Sequence, residues 1–252
     1  MSAIAMPLVA ALWGLAAGSA LLFGAALGYL LPIPQRVVAA VMAFGSGVLV
    51  SALAFELMDE AVRHDGLWST SIGFLAGGLA FTLANRQLCA WGARHRKRSG
   101  TQQPAAGEGA ALAIALGAVL DGIPESVVIG VGLLEGGGVS LVTVAAVWLS
   151  NLPEGMSSAA GMRKAGRGAA YVFGLWGGIT LLTGVAAMAG FTLFDGLPPA
   201  AVAATMAVAA GAILAMIADT MIPEAFEVTH DFTGLVTVAG FLCAFVLSRL
   251  AG

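Results

Sequence analysis

Apolar positions run along this chain in long blocks, separated by short stretches of polar residues, Gly and Pro. Each block is about 20 residues long, the length a helix needs to cross a hydrocarbon layer about 30 Å thick. Eight such blocks predict eight transmembrane helices, at approximately Ile4–Leu31, Val37–Met58, Leu67–Ala90, Ala110–Leu134, Val139–Gly161, Ala170–Phe191, Ala200–Ile222 and Gly234–Leu250. The gaps carry turn and breaker residues: Pro32 and Pro34, Asp65-Gly66, Pro104, the Gly136–Gly138 run, Gly166 and Gly168, and Pro198-Pro199. Most gaps are too short for a separate domain, so residues 1–252 read as one all-α integral membrane domain. The longest polar stretch, Arg94 to Glu108, follows the third span.

Composition agrees with the blocks. Hydrophobic residues make up 59% of the chain and charged residues 10%, and mean hydropathy is +0.94. A soluble domain is about a quarter charged. So few charges cannot cover a globule in water, and the expected partner surface is a lipid bilayer, with no nucleic acid. Cys89 and Cys243 lie far apart in apolar stretches, spell no metal or redox spacing, and are expected to be buried thiols. The first span lacks a basic n-region and its apolar run is longer than an h-region, so it is not read as a secretory signal.

Basic residues in short loops orient a helical bundle. Arg36 lies between spans one and two, Arg94, Arg96, Lys97 and Arg98 between three and four, and Arg163, Lys164 and Arg167 between five and six. Only Arg63 and Arg249 fall on the other side. The odd-numbered loops are therefore expected in the cytoplasm and both termini outside, in a multi-pass protein of the cell (plasma) membrane.

The sequence also echoes itself. Ala43-Phe-Gly-Ser-Gly47, running on to Glu60-Ala61, recurs as Ala207-Val-Ala-Ala-Gly211, running on to Glu224-Ala225, at an offset of 164. Leu120-Asp-Gly-Ile-Pro-Glu125 recurs as Leu149-Ser-Asn-Leu-Pro-Glu154, at an offset of 29. In both pairs the copies are expected to cross in opposite directions. Inverted repeats with Pro-interrupted helices are a construction that secondary transporters use for a midplane site with alternating access.

The chemistry lies in the second echo. An ionisable group at the bilayer centre costs about 2.5 kcal/mol or more. Span four nonetheless holds Asp121 and Glu125, span five holds Glu154, and neither span holds a basic residue. Carboxylates crowded together repel and protonate; a shared cation removes that conflict. Asp121 and Glu125 are four apart and share a helix face, and Asn151 and Glu154, three apart, share another. Pro124 and Pro153 cannot donate to the carbonyls of Leu120 and Leu149, so bent helices would present carboxylates and freed carbonyls at similar depth. Such an oxygen-rich pocket suits a divalent cation held by Asp121, Glu125, Asn151 and Glu154, with an interhelical hydrogen bond as the alternative role of Asn151. Glu56, Asp59, Glu60 and Glu135, near span ends, are read as charges that snorkel to the interface. Gly14, Gly18, Gly24 and Gly28 of span one form small-xxx-small patterns and predict close helix packing.

These motifs resemble the ZIP (Zrt/Irt-like) family of divalent metal transporters. The segments are Asp121-Gly-Ile-Pro-Glu-Ser126 in span four, Ser150-Asn-Leu-Pro-Glu-Gly155 in span five, Phe55-Glu-Leu-Met-Asp-Glu-Ala61 at the end of span two and Met221-Ile-Pro-Glu-Ala225 at the end of span seven. The resemblance implies uptake of zinc, iron or manganese toward the cytoplasm, with the metal ion as transported substrate and no cofactor. It also implies a 3+2+3 inverted-repeat arrangement of the eight helices and a homodimer. The chain departs from the family in specific places. The His-Asn that usually opens the span-four motif is Asp121 and Gly122 here, and the His that often opens the span-five motif is Ser150. The Glu that many members carry in span six is missing around Gly174-Leu-Trp-Gly-Gly178. These departures predict one metal site with oxygen ligands, a harder shell that shifts the expectation from zinc toward Mn²⁺ or Fe²⁺.

The competing reading is a proton-coupled carrier of an organic cation, against which stands the lack of an aromatic cage near Asp121 and Glu154. An intramembrane enzyme is not expected, since no nucleophile lies beside a base in the spans. A purely structural protein would leave the three buried carboxylates without a role.

Overall fold

In a computed structural model the described residues are 5–90, 108–135 and 140–251, and they contain helices and no strands. The helices are α1 (Ala5–Leu30), α2 (Gln35–Ala52), α3 (Met58–Ala90), α4 (Glu108–Gly132), α5 (Leu141–Lys164), α6 (Ala169–Phe194), α7 (Pro199–Met216), α8 (Ile222–Thr229) and α9 (Thr233–Ala251). Pro34 and Pro198 stand as N-caps of α2 and α7, where a missing N–H costs nothing. Most of the predicted stretch from Arg94 to Glu108, and the Gly136–Gly138 run, lie outside the described residues.

Among the described residues four helical stretches are long and apolar enough to cross a membrane, by length and composition: Ala5–Leu30, Gln35–Ala90, Ala169–Phe194 and Pro199–Leu250. Two of them, of 56 and 52 residues, would each run about 80 Å if straight, well beyond a hydrocarbon core of about 30 Å. Both are broken. Gly66 sits at φ 77° inside α3, and His230 at φ 41° follows α8. Glycine takes such a φ at no steric cost, whereas histidine is held in it against its preference.

The helical segments before these breaks extend further than the predicted spans. Span two was expected to end at Met58, but a π-helical turn, Leu53–Leu57, carries α2 straight into the start of α3, which stays helical up to Gly66. The polar residues there support the helix through i,i+4 pairs: Arg63 bonds Asp59 at 2.8 Å and His64 bonds Glu60 at 2.7 Å. Span seven likewise continues through a π turn, Ile217–Met221, to Thr229. Loss of apolar character, which set the predicted ends, is not loss of helix.

Element ends coincide at the offset of 164 far beyond the segment that first showed it. The pairs are Ala5–Leu30 with Ala169–Phe194, Gln35–Ala52 with Pro199–Met216, and Leu53–Leu57 with Ile217–Met221. The breaks at Gly66 and His230 keep the same spacing. Packing is reciprocal between the pairs. α2 lies on α9 while α7 lies on α3, and α1 lies on α5 while α6 lies on α4. α1 and α6 also pack together, and α2 meets α5 and α4 meets α7 where the two sets join.

Glycines set these approaches. A Cβ on Gly47 would strike the carbonyl of Thr237 in α9, and one on Gly211 that of Phe74 in α3. Gly14 and Gly18 face α6, and Gly24 and Gly28 face the backbone of α5 at Leu152 and Met156. The packing role expected of the span-one glycines is what the structure contains. Both cysteines are free, but Cys243 is exposed and Cys89 only half-buried. The expected burial fails because an apolar position in lipid need not face inward.

Candidate cation site

Helices α4 and α5 hold the candidate site, each with a proline inside it (Pro124 and Pro153). On α5 the polar residues Ser150, Asn151, Glu154, Ser157 and Ser158 are all buried. Their spacing of one, three, three and one draws a single stripe at helical period, so α5 turns a polar spine into an apolar interior. On α4 the buried polar set is Asp121, Glu125 and Ser126. Every predicted site residue is therefore inside the protein: Asp121 is 1% exposed, Glu125 2%, Asn151 4% and Glu154 7%.

A side-chain hydrogen bond joins the two helices at this level. Ser150 Oγ lies 3.2 Å from Glu125 Oε1 and donates to it, and lies 2.9 Å from the carbonyl of Val147. Asn151 Nδ2 donates to the carbonyl of Ala17 in α1, at 3.4 Å. That bond assigns the amide nitrogen to α1 and orients the side chain. α1 approaches closely enough because a Cβ on Gly155 would strike the carbonyl of Leu21.

Two expectations for the site change. The carbonyl of Leu149, freed by Pro153, faces α2, 3.0 Å from where a Cβ of Gly45 would stand. It serves the α2–α5 contact instead of adding to the pocket. Among the described residues, moreover, no three His, Cys, Asp or Glu side chains are gathered as a metal ion would hold them. Asp121, Glu125 and Glu154 thus share the interior without forming one cluster. Repulsion between like charges opposes such a cluster, and Glu125 takes a serine hydroxyl as partner. Beside Glu125 lies a cavity of about 10 Å³, roughly one water in size, lined by Leu49, Leu53, Val147 and Ile213 among others.

The carboxylates near helix ends do not all snorkel. Glu56, in the π turn after α2, accepts from Ser140 Oγ at 3.0 Å and from Ser248 Oγ at 2.6 Å. It ties together α2, the N-cap of α5 and the last turns of α9. Glu224, on α8, accepts from Ser157 Oγ at 2.6 Å. Asp59 and Glu60 are engaged by Arg63 and His64. His64 also lines, with Asp195 and Phe194, a cavity of about 180 Å³ beside the turn between α6 and α7. The serines at 140, 150, 157 and 248 had no place in the sequence reading as hydrogen-bond donors. Three of them lie on α5 or at its cap, and Ser157 is three residues past Glu154, a spacing that could have drawn attention to it.

No family model matches the chain, and no curated protein matches it.

Proposed function

We propose that this chain carries a divalent transition-metal cation, such as zinc, manganese or iron, across the membrane toward the cytoplasm. The observation that carries this reading is the burial of three carboxylates on two adjoining helices, at 1%, 2% and 7% exposure, in a protein built of apolar helices. Buried charges persist when they are paired or bind metals. Asp121, Glu125, Asn151 and Glu154 are the ligands in this reading. Glu125 and Ser150 mark where α4 and α5 meet, and an arriving cation draws the carboxylates around itself by side-chain rotation.

The arrangement in the membrane is part of the proposal. Eight crossings follow when the long stretches broken at Gly66 and His230 count as two each and α4 and α5 are added to them. The common offset of 164 and the reciprocal packing support a 3+2+3 inverted repeat. So does the geometry along α5: α2 ends beside Ser140 and α7–α8 beside Ser157, about 25 Å apart along the helix. Both termini are then outside, in the plasma membrane, and resemblance to the ZIP transporters favours a homodimer. Arg163 and Arg167 both contact Tyr29 at the end of α1, which puts their loop at the same end as the one before Arg36.

Purified protein should retain a divalent metal after incubation with a panel of ions, and liposomes containing it should take up the same ions. Absence of both retention and uptake for every ion overturns the proposal. Orientation has its own test: cysteines placed in residues 94–108 should react with impermeant reagent only from the cytoplasm. Reaction from outside would reverse the direction of transport inferred here.

A further inference from the structure

Helix α5 carries half of the site and is bonded at both ends by carboxylates from helices outside the α1–α5 pair. At its start, Ser140 caps the helix by accepting from the backbone N–H of Thr143, and its hydroxyl donates to Glu56 at 3.0 Å. Glu56 is anchored in turn to α9 through Ser248. In the last third of α5, Ser157, fully buried, donates to Glu224 on α8 at 2.6 Å. Each carboxylate lies in or just after one of the two π turns that match at the offset of 164. Single π turns inside α-helices recur at functional sites. Between the two bonds α5 meets α2 mostly through short side chains, with Thr143, Ala146 and Val147 of α5 near Leu49 and Ala52 of α2 and Gly45 against the backbone of Leu149 and Ser150. No hydrogen bond between side chains of α2 and α5 is seen along this stretch among the contacts described, whereas the hydroxyl–carboxylate bonds that flank it are each lost on a shift of an ångström or two.

We infer that Glu56 and Glu224 are paired latches on α5, and that they open in turn to expose the site first to one side of the membrane and then to the other. The inference rests on the reading of α5 as one wall of a transport site. Glu56 with Ser140 closes the end where α5 begins; Glu224 with Ser157 closes the end where it finishes. Opening one end while the other stays bonded tilts α5 and uncovers its polar stripe from that side alone.

The test is cysteine accessibility, which needs no metal. Val147, 4% exposed and beside the Glu125 cavity, is replaced by Cys in a Cys89→Ser/Cys243→Ser background. An impermeant maleimide is then applied to right-side-out and to inverted vesicles. Glu56→Ala, which leaves the Ser140 cap intact, should raise labelling about tenfold from the face carrying Ser140 and leave the other face unchanged. Ser157→Ala and Glu224→Ala should each raise it by the same factor from the opposite face. The effect of the Ser157→Ala/Glu224→Ala double variant should fall short of the sum of the two single effects, since the bond they share can be lost only once. A rise from both faces, no rise, or additive effects overturns the inference. Should an alanine variant fail to assemble, oxidising a Ser157→Cys/Glu224→Cys pair gives the converse result: labelling from that face falls below the parent's, and an unchanged level counts against the latch. Metal retention by the parent protein is measured separately, so failure of the latches and failure of the cargo assignment are distinguishable.

Discussion

Glu125→Gln and Glu154→Gln are expected to lower uptake of every divalent metal by about a hundredfold each. The estimate follows from charge. Two unit charges 4 Å apart at an effective dielectric of 20 interact by about 4 kcal/mol, and the cation carries two. Glutamine keeps one carbonyl oxygen as a ligand, so part of the interaction survives and the loss is put at about a hundredfold rather than more. Shape is unchanged, and the Ser150 hydroxyl that donates to Glu125 can donate to the amide oxygen of Gln as well. The metal-free variants should therefore melt close to the parent protein, because the exchange is nearly isosteric and replaces a buried charge with a neutral amide. Uptake lost with stability kept identifies a ligand; uptake and stability lost together identify a packing defect. Asp121→His supplies the contrast. Imidazole favours zinc over harder ions, so this change should move the preference toward Zn²⁺ and leave total binding in place. The neutral ring binds and the protonated ring does not. Binding by that variant should thus weaken as pH falls through about 6.5. If Asp121→His leaves the metal ranking unchanged while Glu125→Gln alters it, selectivity is set away from Asp121.

A second large effect is expected where helices meet through bare backbone. Gly47→Ala and Gly211→Ala occupy equivalent places at the offset of 164. In each, the new methyl falls on a carbonyl of a facing helix, Thr237 for the first and Phe74 for the second. Backbone cannot turn aside as a side chain does, so the helix pairs must separate. Overpacking of this kind costs about 1–3 kcal/mol, and the two substitutions should cost similar amounts because the contacts are alike. Gly174→Ala on α6 is the control. Nothing lies within 4 Å of its added Cβ, and replacing an exposed helical glycine gains about 0.5–1 kcal/mol. Thermal unfolding in detergent should rank Gly174→Ala at or above the parent protein, with Gly47→Ala and Gly211→Ala well below. Equal melting of all three would mean that the α2–α9 and α3–α7 contacts are looser than the backbone geometry requires.

The sequence by itself determined the helices and the place of the unusual charges. Runs of about 20 apolar residues admit helix in lipid because every backbone group must be satisfied within its own segment, and that rule is local. The recurrence of Ala-x-x-x-Gly and Glu-Ala at an offset of 164 was also legible, because it lies in the letters themselves. So was the burial of Asp121, Glu125 and Glu154, since each stands well inside an apolar run with no basic residue near it in its span.

Tertiary structure decided which surfaces touch. Glu56 looked like an interfacial charge because its partners, Ser140 and Ser248, stand 84 and 192 positions away; no periodicity reports a bond across that distance. The carbonyl freed by Pro153 was assigned to the pocket on local grounds, and it faces Gly45 because α2 passes there. Helix continued past the predicted ends of spans two and seven because main-chain hydrogen bonds, through the π turns and the helical turns after them, satisfy the backbone where hydropathy has already fallen. Partner choice among helices of nearly identical composition is made by where glycine lets two backbones meet and where a serine reaches a carboxylate. Both depend on three-dimensional placement, which the order of apolar and polar letters does not encode.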